Sequence, residues 1–288
     1  MDILIAVNKK YLPHAKVMLA SLREHMPGEK INVYLLYNSL KNNHIHKFEK
    51  YLNNRHQITL HAIKVENTPF DKCKLTYHFS IEIVYRLVAA EVLPKSLTKI
   101  LWLDSDIIIN KSSLDFYNTD INNVYACVCK GRGDTVRHNR RLGLPLEYNY
   151  FNSGVMLLNL KMIREKRLID KYVEIAKRYN DKLILLDQDI MNVAFSDKNI
   201  IYFDSKLYNY QIGGDFILSE KEYVDFLNTC CIMHFAAGFS KPWKVAYHNG
   251  LEKIYWKYAL RDQRYFDYVC FKVTIFLRRI IRIWRGNL

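Results

Sequence analysis

Residues Ile100 to Ile109 read Ile-Leu-Trp-Leu-Asp-Ser-Asp-Ile-Ile-Ile, which sets two carboxylates, Asp104 and Asp106, between two apolar runs. Ionised carboxylates flanked so tightly by core sequence are costly unless paired or bound to a cation. At a strand end, residues i and i+2 start on the same side, so both acids can converge on one point. A hard divalent cation with oxygen ligands, Mg²⁺ or Mn²⁺, suits that pair and commonly arrives with a phosphate-bearing substrate. The plain structural alternative is a surface turn whose acids cap the next segment.

Three more segments carry residue types able to do chemistry. Phe151-Asn152-Ser153-Gly154 precedes the apolar run Val155–Leu158, and its amide suits sugar hydroxyls or, more simply, a turn. Leu186-Asp187-Gln188-Asp189 introduces an apolar helix, so Asp187 or Asp189 could equally be an N-cap. In the stretch from Met233 to Trp243, His234 follows a hydrophobic strand, and Lys241 lies a short loop later, behind Gly238. Imidazole could complete a metal shell and the ammonium could pair with phosphate, although a lone histidine also serves structural ends.

These residues need a scaffold, and the hydrophobic pattern supplies one. Ile3–Val7, Ile31–Leu36, Ile58–Ile63, Ile100–Leu103, Val124–Cys129, Val155–Asn159 and Ile200–Phe203 read as strands. Helical spacing covers Leu12–Glu24, the region around Ile45–Leu52, Ile81–Leu93 up to Pro94, Ile163–Arg178 and Gln188–Phe195. Strands alternating with helices predict a largely parallel, helix-covered α/β sheet. Ligands in such sheets bind at the carboxyl ends of strands, where Asn8 and the Asp104/Asp106 pair both fall.

The chain has 288 residues, half of them apolar, and no Gly-, Ser- or Pro-rich linker divides it. Its six cysteines form no Cys-x-x-Cys and no regular framework, which predicts reduced thiols packed as small hydrophobes in a reducing cytoplasm. Met-Asp and a short apolar run at the start lack the basic and long apolar regions of a secretory signal. A formal charge of +14 calls for an anionic partner: nucleic acid, membrane or phosphorylated substrate.

Taken together and in order, the segments resemble glycosyltransferase family 8, which includes bacterial lipopolysaccharide galactosyl- and glucosyltransferases and glycogenin. The matching positions are Ala6-Val7-Asn8 with Tyr11, Tyr85-Arg86, Leu103-Asp104-Ser105-Asp106, Phe151-Asn152-Ser153-Gly154, Asp187-Gln188-Asp189, and His234 with Lys241-Pro242-Trp243. The resemblance spans residues 1–245 and implies a GT-A catalytic domain using a UDP-sugar and Mn²⁺ or Mg²⁺. It implies that Ala6, Val7, Asn8 and Tyr11 border the nucleoside, and that Arg86 contacts the sugar-nucleotide. Asp104, Asp106 and His234 would ligate the metal, with Ser105 between the acids. Gly238 and Lys241 would line the diphosphate, while Asn152, Asp187 and Gln188 would hold the donor sugar. Cys129 stands where bacterial galactosyltransferases of this type carry an aspartate, and Asp134 is the nearest carboxylate that could substitute. Retention of anomeric configuration is implied. Gln188 is a poor nucleophile, which favours same-face attack over double displacement.

Residues 246–288 differ in character. Arg278, Arg282 and Arg285 share one helical face, with Phe276, Ile280 and Ile283 on another. Charges recur too often for a membrane span, so the segment is predicted to lie in an anionic membrane interface or to pack on the core. Aromatic–basic interleaving also suits RNA, but no nucleic-acid module is present and no nucleic-acid partner is expected. The leading expectation is a hexosyltransferase, peripheral at the inner face of the cytoplasmic membrane, extending a lipid-linked saccharide such as lipooligosaccharide. A glycogenin-like or protein-directed glucosyltransferase and a non-catalytic UDP-sugar-binding module are the alternatives.

Overall fold

Alternation along Lys99–Leu103 sets the layering: Ile100 and Trp102 pack into the core on one face of a sheet, Leu101 and Leu103 into the core on the other. A strand buried on both faces is the expected form for a sheet covered by helices on each side. A computed structural model describes residues 1–75, 80–196, 199–213, 218–238, 240–247 and 250–284. Its strands are β1 Asp2–Ala6, β2 Ile31–Tyr37, β3 Ile58–Lys64, β4 Lys99–Leu103, β5 Ile107–Ile109, β6 Ala126–Lys130, β7 Phe151–Asn159, β8 Ile200–Phe203, β9 Tyr210–Gln211 and β10 Ile232–His234. The helices are α1 Leu12–His25, α2 Asn42–His56, α3 Tyr85–Val92, α4 Leu114–Asn118, α5 Thr135–Leu142, α6 Leu160–Glu165, α7 Leu168–Arg178, α8 Leu186–Ala194, α9 Ser205–Tyr208, α10 Glu220–Thr229, α11 Glu252–Arg261 and α12 Tyr265–Trp284.

The main sheet has the order β3-β2-β1-β4-β7-β6-β8, and within it β7 alone runs against its neighbours. This is the mostly parallel, helix-flanked α/β sheet that the pattern predicts. Helices α3, α6, α7 and α8 cover one face, and α1, α2 and α4 the other. The stretch read as a single helix over Ile163–Arg178 is two, because Arg167 takes a left-handed conformation (φ 49°) between α6 and α7.

A second sheet, β5-β10-β9, was not expected from the sequence. It sits beside the carboxyl end of β4 and shares a core with α10, α11 and the start of α12, including Ile108, Met233, Phe235, Tyr255, Trp256 and Phe271. Residues 250–264 are therefore built into the body through α11, which packs along α1. Beyond them α12 keeps Phe266, Val269, Val273 and Phe276 exposed. Among the described residues, no helix is long and apolar enough to cross a membrane. Arg285 lies outside the described residues, as do the side chains of Arg279, Arg282 and Ile283.

Candidate metal and donor site

Two strand pairings assemble the site from distant segments. Antiparallel pairing of β4 with β7 sets Leu103 opposite Val155, and the Asp104 N–H donates to the Gly154 carbonyl at 2.9 Å. The Asn-Ser-Gly segment thereby lies against the acid pair. Directly after Asp106 the chain enters β5, which pairs with β10 and sets Ile107 opposite His234. The Phe235 N–H then donates to the Asp106 carbonyl at 3.0 Å. One ligand atom from each of Asp104, Asp106 and His234 falls within 4.8 Å of the others. His234 Nε2 lies 3.3 Å from Asp106 Oδ1 and 3.7 Å from Asp104 Oδ2.

Glycine 154 makes that convergence possible. A Cβ built there would fall 2.2 Å from His234 Cε1, 2.8 Å from His234 Nδ1 and 2.9 Å from Asp104 Oδ2. Two carboxylates and an imidazole around a space kept clear by a glycine fit a divalent cation such as Mn²⁺ or Mg²⁺ by donor type.

Cationic side chains hold the acids in place. Arg86 is buried and bridges two carboxylates, with Nη2 2.9 Å from Asp104 Oδ1 and Nε 3.0 Å from Asp187 Oδ2. It also donates to the carbonyls of Ser153 and Ile83 and stacks 4.2 Å over the Trp102 ring, whose Nε1 donates to Asp104 Oδ1 at 2.8 Å. Lys241 Nζ pairs with Asp106 Oδ2 and donates to the Phe235 carbonyl at 2.6 Å. Burial opposes ionisation of Asp106, but Lys241 and His234 outweigh it and hold this carboxyl well below the usual range. At Asp187 burial prevails over Arg86 and pushes the carboxyl up to about 6. A group so displaced beside a charge cluster is typical of functional sites, though ion-pair networks produce it too.

The amides form one chain. Asn152 Oδ1 accepts from the Gly154 N–H at 3.0 Å and from Asn209 Nδ2 at 2.9 Å. Its Nδ2 donates to Gln188 Oε1 at 3.0 Å, and that oxygen also accepts the Ser153 N–H at 3.0 Å. Gln188 Nε2 reaches the Tyr150 hydroxyl at 3.2 Å. Asp187 accepts from Ser153 Oγ at 3.2 Å.

The remaining expected residues divide between site and scaffold. Asn8 shapes the turn into α1: its Oδ1 accepts the N–H groups of Lys10 and Tyr11, and its Nδ2 donates to Ser80 Oγ at 3.1 Å. Ala6 is half-buried at the end of β1 beside it, and the Val7 side chain belongs to the core. Tyr11 is half-buried, and burial raises its hydroxyl, with Lys241, Asp106 and Asp104 all near enough to act on it. Ser105 sits half-buried in the turn between the acids, and Gly238 is exposed with open space around it.

Two alternatives are corrected by the geometry. Neither Asp187 nor Asp189 is the N-cap of α8; Leu185 holds that position. Asp189 instead reaches back, fully buried, to the N–H groups of Ile184 and Leu185 at 2.7 and 2.9 Å, and it also binds Arg141 and Tyr150. Cys129 is fully buried in the core facing α1 and α2, and burial raises its thiol. Asp134 is spent capping α5, accepting the Arg137 N–H at 3.1 Å. Asn209 was missed. A single amide in the Tyr-rich run Tyr208-Asn209-Tyr210 carries no motif of its own.

The fold is similar to that of the galactosyltransferase LgtC, solved in complex with donor and acceptor sugar analogs, with a TM-score of 0.74 at 22% identity, covering 90% of this chain and 95% of LgtC. A mostly parallel sheet with the acid pair at the carboxyl end of β4 thus defines a GT-A fold. More specifically, the chain belongs to glycosyl transferase family 8, whose sequence model matches residues 2–246. A putative glycosyltransferase of Haemophilus influenzae is 25% identical over 84% of this chain and 73% of its own. A lipopolysaccharide 1,2-glucosyltransferase of Escherichia coli is 24% identical over 82% of this chain and 71% of its own.

Proposed function

We propose that this glycosyltransferase moves a hexose, galactose or glucose, from a UDP-sugar to a lipid-linked saccharide such as lipopolysaccharide or lipooligosaccharide, with retention of anomeric configuration. The observation that carries the reading is the convergence of Asp104, Asp106 and His234 beside Asn152, Asp187 and Gln188. A divalent cation held by the first three would, when bound, act as a Lewis acid and neutralise charge on the departing diphosphate. Lys241, already at Asp106, adds a second positive charge on that side. Arg86 bridges Asp104 and Asp187 and holds both in place, so the pocket needs little reorganisation as charge develops. The Gln188 amide oxygen is engaged by the Ser153 N–H and by Asn152, which leaves it a poor nucleophile and favours attack on the face from which the diphosphate leaves.

The lipid-linked acceptor is supported by the name of the Escherichia coli relative and by α12. Phe266 is 79% and Phe276 63% exposed on that helix, and Lys272 and Arg278 lie among the same exposed residues. Arg278 Nη1 donates to the Lys244 carbonyl at 2.8 Å, so the distal half of α12 runs beside the segment carrying Lys241. An apolar face with flanking cations suits the interface of an anionic membrane, here the inner face of the cytoplasmic membrane. Phe266→Asp with Phe276→Asp should abolish flotation with phosphatidylglycerol vesicles; unchanged flotation sinks the membrane assignment.

A UDP-release screen of UDP-galactose, UDP-glucose and their N-acetyl forms with Mn²⁺ tests the reaction. One hexose donor should be hydrolysed slowly by the protein and not by Asp106→Asn. Release from none of the donors, or equal release by the variant, contradicts the proposal.

A further inference from the structure

We infer that Asn209 is a positioning residue that fixes the tautomer of His234, leaving the Nε2 lone pair directed at the Asp104–Asp106 pair. Backbone N–H groups, whose donor character is invariant, set the orientation of the amides. The Gly154 N–H points at one side-chain atom of Asn152 at 3.0 Å, so that atom is the carbonyl oxygen. The other end of Asn152 is then its NH₂, and it faces Gln188 Oε1, itself fixed as an acceptor by the Ser153 N–H at 3.0 Å. Two independent backbone donors thus fix the orientation of the Asn152–Gln188 pair.

The Asn209 atom 2.9 Å from Asn152 Oδ1 must therefore be its NH₂. That leaves Asn209 Oδ1 facing His234 Nδ1 at 2.9 Å. An amide oxygen only accepts, so Nδ1 carries a proton, and in the neutral ring the lone pair is therefore on Nε2. Nε2 is the nitrogen 3.3 Å from Asp106 and 3.7 Å from Asp104. Asn209 and His234 are both buried, 0% and 2% exposed, so water does not offer Nδ1 an alternative partner. The same amide ties the cation ligand to Asn152 and Gln188, so metal and sugar sides of the site share one rigid chain of hydrogen bonds. Partners of this kind tune metal affinity because they set ring orientation and ligand basicity.

The direct test is long-range ¹H–¹⁵N correlation NMR on histidine-labelled, metal-free protein, titrated upward in pH until the His234 ring is neutral, with the His234 signals identified by their loss in His234→Gln. The expected pattern is the Nδ1–H tautomer; an Nε2–H pattern overturns the inference. That readout needs neither donor nor metal, so its failure is distinct from failure of the proposed reaction. Mn²⁺ titration supplies the second arm. Asn209→Leu should lower Mn²⁺ affinity by roughly 10–100-fold, and Asn209→Asp, which keeps an acceptor for Nδ1–H, should recover most of that loss. Unchanged affinity in Asn209→Leu overturns the inference, as does a loss in Asn209→Asp equal to that in Asn209→Leu. If Asn209→Leu does not fold, the tautomer measurement on the parent protein still decides.

Discussion

Gly154→Ala adds one methyl group, and its consequence can be worked from the distances. The new Cβ would stand 2.2 Å from His234 Cε1, whereas ordinary contact begins at 3.4 Å. The ring must therefore retreat by about 1.2 Å, the difference of those two values. It has little freedom to do so, because β10 is registered on β5 and Nδ1 is held by Asn209. Asp104 Oδ2, 2.9 Å from the same Cβ, is crowded as well. Ligand positions tolerate only about ±0.2 Å, so a shift of this size costs a coordination bond. Displacements near 1 Å in a reacting constellation lower turnover by about 10²-fold. The expected result is a loss of at least that size in metal-dependent donor turnover, with Mn²⁺ affinity reduced in parallel when read by titration. Overpacking should cost stability only about 1–3 kcal/mol, so the variant should still fold. Gly28→Ala and Gly238→Ala, where an added Cβ meets nothing within 4 Å, are the controls and should bind Mn²⁺ normally. If Gly154→Ala binds Mn²⁺ within about threefold of the parent, the reasoning from the glycine to the cation is refuted.

Three further expectations follow from the same geometry. Arg86→Lys keeps a positive charge but cannot serve Asp104, Asp187 and the Ser153 carbonyl together; kcat should fall more than KM changes in steady-state assays, and an unchanged kcat would count against the bridging role. Arg141→Ala leaves the fully buried Asp189 without its ionic partner, which should cost about 3–5 kcal/mol in urea unfolding; a loss below about 1 kcal/mol would mean that Tyr150 and the two backbone N–H groups suffice. His14 stacks on Trp243 and hydrogen-bonds Tyr255, and burial, aided by Arg264, lowers its imidazole to about 3. The folded state then binds fewer protons than the unfolded chain between that value and the ordinary 6.5. Stability is therefore full above pH 6.5 and falls as pH drops towards 3, by at most about 1.4 kcal/mol per unit. Unfolding free energies of the parent and His14→Gln from pH 7 to 4 should diverge in that sense; parallel pH profiles would remove His14 from the account.

Much of this was legible in the sequence for identifiable reasons. β4 and the acid pair announce themselves because a both-face-buried strand stops abruptly at two carboxylates, a juxtaposition that core sequence does not tolerate idly. Placement of Asn8 and Asp104 on neighbouring strand ends follows from β1 and β4 pairing. The small sheet was not legible. Ile107–Ile109 looks like a continuation of core sequence, and only pairing with β10, remote in the chain, explains how His234 reaches Asp106. Asn209 was invisible for the same reason: its meaning lies in what the fold sets on either side of it. Cys129 is the converse case: the resemblance sets it where an aspartate would stand at a strand end, and the fold buries its thiol in the core.

The central claim is that Asp104, Asp106 and His234 grip one divalent cation that meets the donor diphosphate. Its most direct test is anomalous diffraction at the manganese edge from crystals grown with Mn²⁺ and UDP. A single anomalous peak bonded to all three side chains and to diphosphate oxygens is the expected result. Bound UDP with no peak among those residues, or a peak held by other side chains, would contradict it.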